Sequence, residues 1–327
     1  HVYRVPLDGP ASAERLTGTQ GWHQAHAAGS TLVIGSLSLE HAGWRTTVYR
    51  DGVAVGEIAS LAAQPPYAPR PVLQRVTDRR LPTGVLYPSA HVAGRRLPVL
   101  VDVYGGPGHQ EVVAARSRWL ERQWFADHGY AVVVIDNRGT PGVGPTFEKA
   151  IHRRVADVVL TDQVDALTAL ADKHPDLDLA RVAIRGWSFG GYLSALAVLR
   201  RPDVYHVAVA GAPVSDWTLY DTAYTERYLG LPDDAPELFE HHSLVDLAET
   251  APSGPADARP ILLVHGLIDD NVVAAHTLRL SAALLRSGRP HAMIPLTGAT
   301  HMAAGGLGER LLRLELDFIG RGLAAGS

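Results

Sequence analysis

The sequence predicts an α/β fold: a mostly parallel sheet with helices on both faces, preceded by a short all-β segment. Three observations lead there. From about residue 72, strand-like apolar runs alternate with segments whose apolar residues recur at i, i+3 and i+4. The later runs are unbroken rather than alternating, as parallel strands covered on both faces require. Residues 1 to about 62 show short strand candidates separated by turn signals instead.

The first segment offers Val2–Val5 before Asp8-Gly9-Pro10, Thr31–Leu37, Thr46–Arg50, the turn Asp51-Gly52, and Val53–Val55. Asp-Gly between two apolar runs is a strong hairpin signal. Strands of this number and length match one blade of a β-propeller, which cannot bury both faces without neighbours. A small meander packed on the following domain is the alternative. The proline-rich stretch from Gln64 to Pro71 suits a junction, giving a β segment over 1–64 and a second domain over 65–327.

In the second domain the strand candidates are Val72–Val76, Gly84–Tyr87, Pro98–Tyr104, Ala131–Asp136, Arg181–Arg185, Val207–Ala210, Ile261–His265 and Ala292–Leu296. The helix candidates are Arg116–His128, Leu160–Lys173, Phe189–Arg201, Ala274–Ser287 and Glu309–Leu323. The last has an apolar stripe that could cover the sheet or join a homodimer. Ligands of such a fold gather at the carboxyl ends of the strands.

Composition sets limits. The 327 residues, 46 % hydrophobic and 20 % charged, suit a large-cored globular protein. A net charge of -4 argues against nucleic-acid binding. No apolar run reaches the ~18 residues of a membrane span. The lack of cysteine excludes disulfides, thiolate metal sites and a cysteine nucleophile, and leaves the redox compartment undecided. The sequence starts at His1 with no signal-like segment, so a cytoplasmic location is expected, a secretion signal upstream being left open.

One stretch carries the chemistry. Gly186-Trp187-Ser188-Phe189-Gly190-Gly191 follows a strand and precedes a helix. G-x-S-x-G in that setting is a nucleophile elbow, with glycines where strand and helix backbones pass close. The fold expected is then the α/β-hydrolase fold. A serine needs a base, and the base an orienting acid, in chain order serine, acid, histidine. Asp269 stands past the strand Ile261–His265, and His301 past Ala292–Leu296. His291 precedes its strand and belongs at the opposite edge. Taken singly, Asp269 could cap a helix, although Asp270 fits that better, and His301 could be a solvated loop residue. Jointly they complete a triad with Ser188. The Phe189 N–H and the Tyr104 hydroxyl, the latter just before Gly105-Gly106-Pro107-Gly108, could stabilise an oxyanion. A strand-end tyrosine packing its ring is the alternative for Tyr104.

Together G-W-S-F-G-G, V-Y-G-G-P-G, H-G-L-I-D-D-N-V and Y-T-E-R-Y-L-G resemble the dipeptidyl peptidase IV branch of the prolyl oligopeptidase family of serine peptidases. Asp136-Asn137-Arg138-Gly139-Thr140-Pro141-Gly142 is similar to a loop common in its bacterial members. The resemblance implies Ser188 as nucleophile, Asp269 as acid, His301 as base, and Tyr104 with the Phe189 N–H as oxyanion donors. It implies that Asn271 holds a substrate carbonyl. It lines the pocket for the residue before the scissile bond with Phe189, Val214, Trp217, Tyr220, Tyr224 and Val272, with Trp187 also on the substrate. An aromatic, flat pocket suits proline or alanine. The implied activity is release of N-terminal dipeptides when a full propeller is present, with no cofactor and no metal. Acylaminoacyl-peptidase or carboxylesterase activity, or an inactive binding domain, are the alternatives. Relatives of this branch carry an eight-bladed propeller with a glutamate pair for the substrate's α-amine. No Glu-Glu pair occurs in this sequence, and residues 1–64 resemble the last blade alone.

Other features lead elsewhere. His23, His26, His241 and His242 lack acidic partners at metal-site spacing and are expected to be surface loop residues. Gly105–Gly108 has no following Lys-Ser and is no phosphate loop.

Overall fold

The computed structural model describes residues 1–9, 12–251, 258–302 and 307–325. Pro10 of the expected first turn lies outside them. The chain begins with a two-residue pair, β1 (Tyr3–Arg4) and β2 (Glu14–Arg15). A four-stranded antiparallel meander follows: β3 (Trp22–Ala28), β4 (Thr31–Leu37), β5 (Arg45–Arg50) and β6 (Val53–Ile58). Asp51 (φ 48°) and Gly52 (φ 79°) turn β5 into β6, as the Asp-Gly signal requires.

The large sheet is built from β7 (Val72–Val76), β8 (Leu81–Leu86), β9 (Leu97–Asp102), β10 (Ala131–Ile135), β11 (Leu177–Trp187), β12 (Val207–Gly211), β13 (Ile261–Gly266) and β14 (His291–Leu296). Its order is β14-β13-β12-β11-β9-β10-β8-β7. The strands from β9 onwards pair in parallel, while β8 pairs antiparallel with β7 and β10. This is the α/β-hydrolase fold. The helices are α1 (Leu120–Asp127), α2 (Pro145–Lys149), α3 (Val155–Ala171), α4 (Phe189–Arg200), α5 (Thr222–Leu229), α6 (Pro236–His242), α7 (Leu244–Thr250), α8 (Ala275–Arg286) and α9 (Leu307–Ala325).

Strand pleating sorts the apolar runs between two cores. Val99, Val101, Val133, Ile184, Ala208 and Leu263 join the side of α3, α4 and α8. Their neighbours Leu100, Val132, Val134, Ala183, Val209 and Leu262 join the side of α1 and α9. Leu311, Ile319 and Leu323 put the apolar stripe of α9 on the sheet.

Several expectations are corrected. β3 replaces an expected loop: His23 is buried there, bonded to Ser36 Oγ (2.8 Å) and the Thr19 carbonyl (3.0 Å). His241 and His242 end α6; His242 is buried on the Leu238 carbonyl, while His241 faces Asp157. Neither Asp269 nor Asp270 caps α8, whose N-cap is Ala274. β9 ends at Asp102, so Tyr104 lies two residues beyond it.

Candidate active site

The site is assembled at the carboxyl ends of β9, β11, β13 and β14. Between β11 and α4, Ser188 has φ 59° and ψ -117°, a conformation rare for any residue with a side chain. Two backbone bonds hold it: Ser188 N–H to the Gly211 carbonyl (2.8 Å) and Tyr192 N–H to the Ser188 carbonyl (3.0 Å). The elbow's glycines are sterically obligatory. A Cβ on Gly186 would lie 2.4 Å from the Val103 carbonyl oxygen, one on Gly190 2.2 Å from the same atom, and one on Gly191 2.2 Å from the Gly211 carbonyl oxygen.

Asp269 follows β13 on a turn closed by its own N–H to Gly266 O (3.2 Å). Its carboxylate is buried. Oδ1 accepts from the N–H groups of Asn271 and Val272, both at 2.9 Å, and Oδ2 accepts from His301 Nδ1 at 2.8 Å. A carboxylate acceptor requires the proton on Nδ1, which leaves His301 Nε2 as the basic ring atom. Gly266 permits this meeting, since a Cβ there would strike the carbonyls of Ala299 and Thr300 at 2.4 and 2.5 Å. On the other side, His265 donates from Nε2 to the Val272 carbonyl (2.7 Å) and accepts at Nδ1 from Thr277 (2.6 Å). Burial pushes its pKa down, so the ring stays neutral behind Asp269.

Ser188, His301 and Tyr104 line one cleft of about 600 Å³, together with Trp187, Tyr220, Asn271 and Met302. Burial pushes the Tyr104 phenol up to about 12, so at neutral pH its hydroxyl is a donor. Trp187 Nε1 donates to the His301 carbonyl (2.7 Å), and Tyr220 donates to Asn271 Oδ1 (2.8 Å).

The expected pocket residues divide. Tyr220 and Asn271 reach the cleft; Phe189, Val214, Trp217 and Val272 are buried behind it. The aromatics form one cluster. Trp217 lies parallel to Tyr224 (6.4 Å, 3°) and 6.0 Å from Phe189, and Tyr220 meets Tyr224 edge-on at 5.3 Å.

The opposite wall was not legible in the sequence: His109, Glu111 and Arg118 line the same cleft. Glu111 accepts from Arg118 (2.8 Å) and from Arg122. The His109 bond and the two arginines overcome burial and hold its carboxyl down at about 2. The chain of charges continues below. Arg122 donates to Asp102 (2.6 Å), Asp102 accepts from Arg185 (2.9 Å), and Arg185 binds Glu315 of α9 (2.8 Å). Removing one member strands a buried charge, typically at about 3–5 kcal/mol. Charges scattered over five segments leave no local pattern to read.

Among the described residues no cluster of acidic or histidine side chains suits a metal ion, and no helix is long and apolar enough to cross a membrane.

Comparison with known proteins places this geometry in context. A model of the prolyl oligopeptidase family matches residues 116–325. Human dipeptidyl peptidase 8 is 42 % identical over 214 residues, covering 64 % of this chain and 23 % of that protein. Probable dipeptidyl-aminopeptidase B of Emericella nidulans is 31 % identical over 297 residues, covering 86 % and 32 %. The structure of Porphyromonas gingivalis dipeptidyl peptidase 4 superposes with a TM-score of 0.86 at 25 % identity, over 98 % of this chain and 46 % of that one. The chain thus spans between 23 % and 32 % of the length of these two curated relatives. With a serine elbow, a histidine–aspartate pair and the family match falling on one hydrolase fold, the chain belongs to the prolyl oligopeptidase family.

Proposed function

We propose that this chain hydrolyses peptide bonds through an acyl-enzyme on Ser188. The observation that carries the reading is the 2.8 Å bond from His301 Nδ1 to Asp269, in the cleft that also holds the strained Ser188. Ser188 Oγ attacks the scissile carbonyl while His301 Nε2 takes its proton, and Asp269 steadies the imidazolium. The tetrahedral oxyanion is met by the Tyr104 hydroxyl and the Phe189 N–H. His301 returns the proton to the leaving amine. Water, deprotonated by His301, then releases the acyl group.

The aromatic cluster supports proline or alanine before the scissile bond. Asn271 Oδ1 is occupied by Tyr220, and its Nδ2 is the atom that would donate to a substrate carbonyl. Residues 1–64 act as a propeller blade in this reading. Val53, Val55 and Ile58, exposed on β6, suit a strand that meets another blade. Release of dipeptides rests on recognition of the α-amine, for which residues 1–327 hold no Glu-Glu pair. That favours a second reading for the chain by itself, in which N-blocked peptides and acyl esters are also accepted.

Release of p-nitroaniline from Gly-Pro-p-nitroanilide, compared with its N-acetylated form and with p-nitrophenyl acetate, tests both. Turnover abolished in Ser188→Ala is expected, and equal turnover in that variant overturns the mechanism. Equal rates on free and acetylated amides support the second reading over dipeptide release.

A further inference from the structure

Two adjacent side chains away from the cleft grip the loop that carries Tyr104. Asn137 and Asp136 follow the carboxyl end of β10 and are both buried. Asn137 Nδ2 donates to the Gly105 carbonyl (2.8 Å) and to the Arg138 carbonyl (2.7 Å). Its Oδ1 accepts from Gln163 Nε2 of α3 (2.8 Å), which also donates to the Ile135 carbonyl (3.0 Å). Asp136 accepts the N–H groups of Glu111 (3.0 Å) and Val112 (2.9 Å). One end of the segment 105–112 is therefore tied to Asn137 and the other to Asp136.

The grip is specific to these side chains. Two carbonyl oxygens face Asn137 Nδ2, so the amide has one workable orientation, and a carboxylate would meet both with repulsion. Gly105 has φ +68°, and a Cβ there would lie 2.6 Å from Asn137 Oδ1. The fit is thus close enough that the carboxamide sets where the peptide after Tyr104 runs. Between the two anchors, the Tyr104 ring meets His109 edge-on at 5.1 Å. Neither Asp136 nor Asn137 lines the cleft, so neither touches a substrate there.

We propose that Asn137 and Asp136 are positioning residues that hold the Tyr104 hydroxyl at the oxyanion, Asn137 through Gly105 and Asp136 through Glu111 and Val112. The inference rests on the reading of Ser188 as nucleophile. An oxyanion donor acts only when it is preorganised to a fraction of an ångström. Loosening Gly105 should therefore cost turnover and leave ground-state binding alone.

The experiment is a double-mutant cycle on the full chain. Asn137→Ala and Tyr104→Phe are made singly and together, with Ser188→Ala in parallel. kcat and KM are read on p-nitrophenyl acetate, and the rate of phosphonylation by a fluorophosphonate serves as a first-turnover readout. Asn137→Ala should lower kcat and the phosphonylation rate by about 10- to 100-fold, with KM within about twofold. In the Tyr104→Phe background, which has no hydroxyl to place, the same change should cost less than about threefold. A full multiplicative loss in that background assigns Asn137 a general structural role and overturns the proposal, as does an unchanged kcat. If Asn137→Ala gives no cooperative thermal transition, Asp136→Asn is carried through the same cycle and the same two outcomes decide. Activity surviving in Ser188→Ala instead removes the reading on which the proposal stands, which separates the two failures.

Discussion

The indole Nε1 of Trp187 donates to the backbone carbonyl of His301 at 2.7 Å, so the residue before Ser188 holds the loop of His301. Trp187 in turn packs against Gly211, where a Cβ would sit 2.0 Å from its ring. The ring is fixed by β12 and the histidine loop by the ring. Trp187→Phe keeps the packing and removes the donor. The loss of one hydrogen bond, about 1 kcal/mol, should lower kcat roughly fivefold with KM little changed. Steady-state kinetics on an anilide substrate checks this, and a rise in KM alone would assign Trp187 to substrate contact instead.

Gly191→Ala should destabilise the fold rather than the chemistry alone. The new Cβ would lie 2.2 Å from the Gly211 carbonyl oxygen, a backbone atom that cannot swing aside. Overpacking of this kind costs about 3 kcal/mol. Urea unfolding should show a clearly lowered midpoint at unchanged slope. Gly288→Ala is the comparison for open space, since apart from its own chain neighbours no atom lies within 4 Å of its Cβ position, although its φ of +67° adds strain of its own.

Acid should weaken the fold through His276. Burial pushes this ring down from 6.5 to about 4, against the pull of Asp216 and Asp269 and with Arg279 and His265 adding to it. The neutral ring is the native form. Its share of stability is therefore full above pH 6.5 and is lost as pH falls towards 4, by about 3 kcal/mol in all. Asp136 works in the opposite sense: burial raises it to about 6, so its share is lost as pH rises through that value. His276→Gln separates the two. Urea unfolding at pH 7 and pH 4.5 should show a smaller acid loss in the variant, and an equal loss would contradict the assignment.

Legibility in the sequence followed how local each feature is. The unbroken runs behind β10 and β13 needed only pleating and burial to be read. Ser188, Asp269 and His301 each follow a strand end, and the structure sets Asp269 and His301 in contact. The meander strand β3 was missed because Trp22–Ala28 carries two histidines and a glutamine, a polar composition that hides its pairing with β4. Helices α5, α6 and α7 are short, and α5 and α7 are held by caps, Asp221 on the Tyr224 N–H and Ser243 on the Asp246 N–H, rather than by a long apolar stripe. His109, Glu111 and Arg118 became visible only when the loop after β9 folded over the cleft. The same holds for Asn137, whose partners Gly105 and Gln163 lie 32 and 26 residues away.

In the proposed reaction Ser188 is a nucleophile activated by His301. A fluorophosphonate added to the folded chain, followed by peptide mass spectrometry, reads this out. One adduct on the peptide containing Ser188 is predicted, absent in Ser188→Ala and formed at least about 100-fold more slowly in His301→Ala. No adduct, or labelling of Ser188 at the same rate without His301, would contradict it.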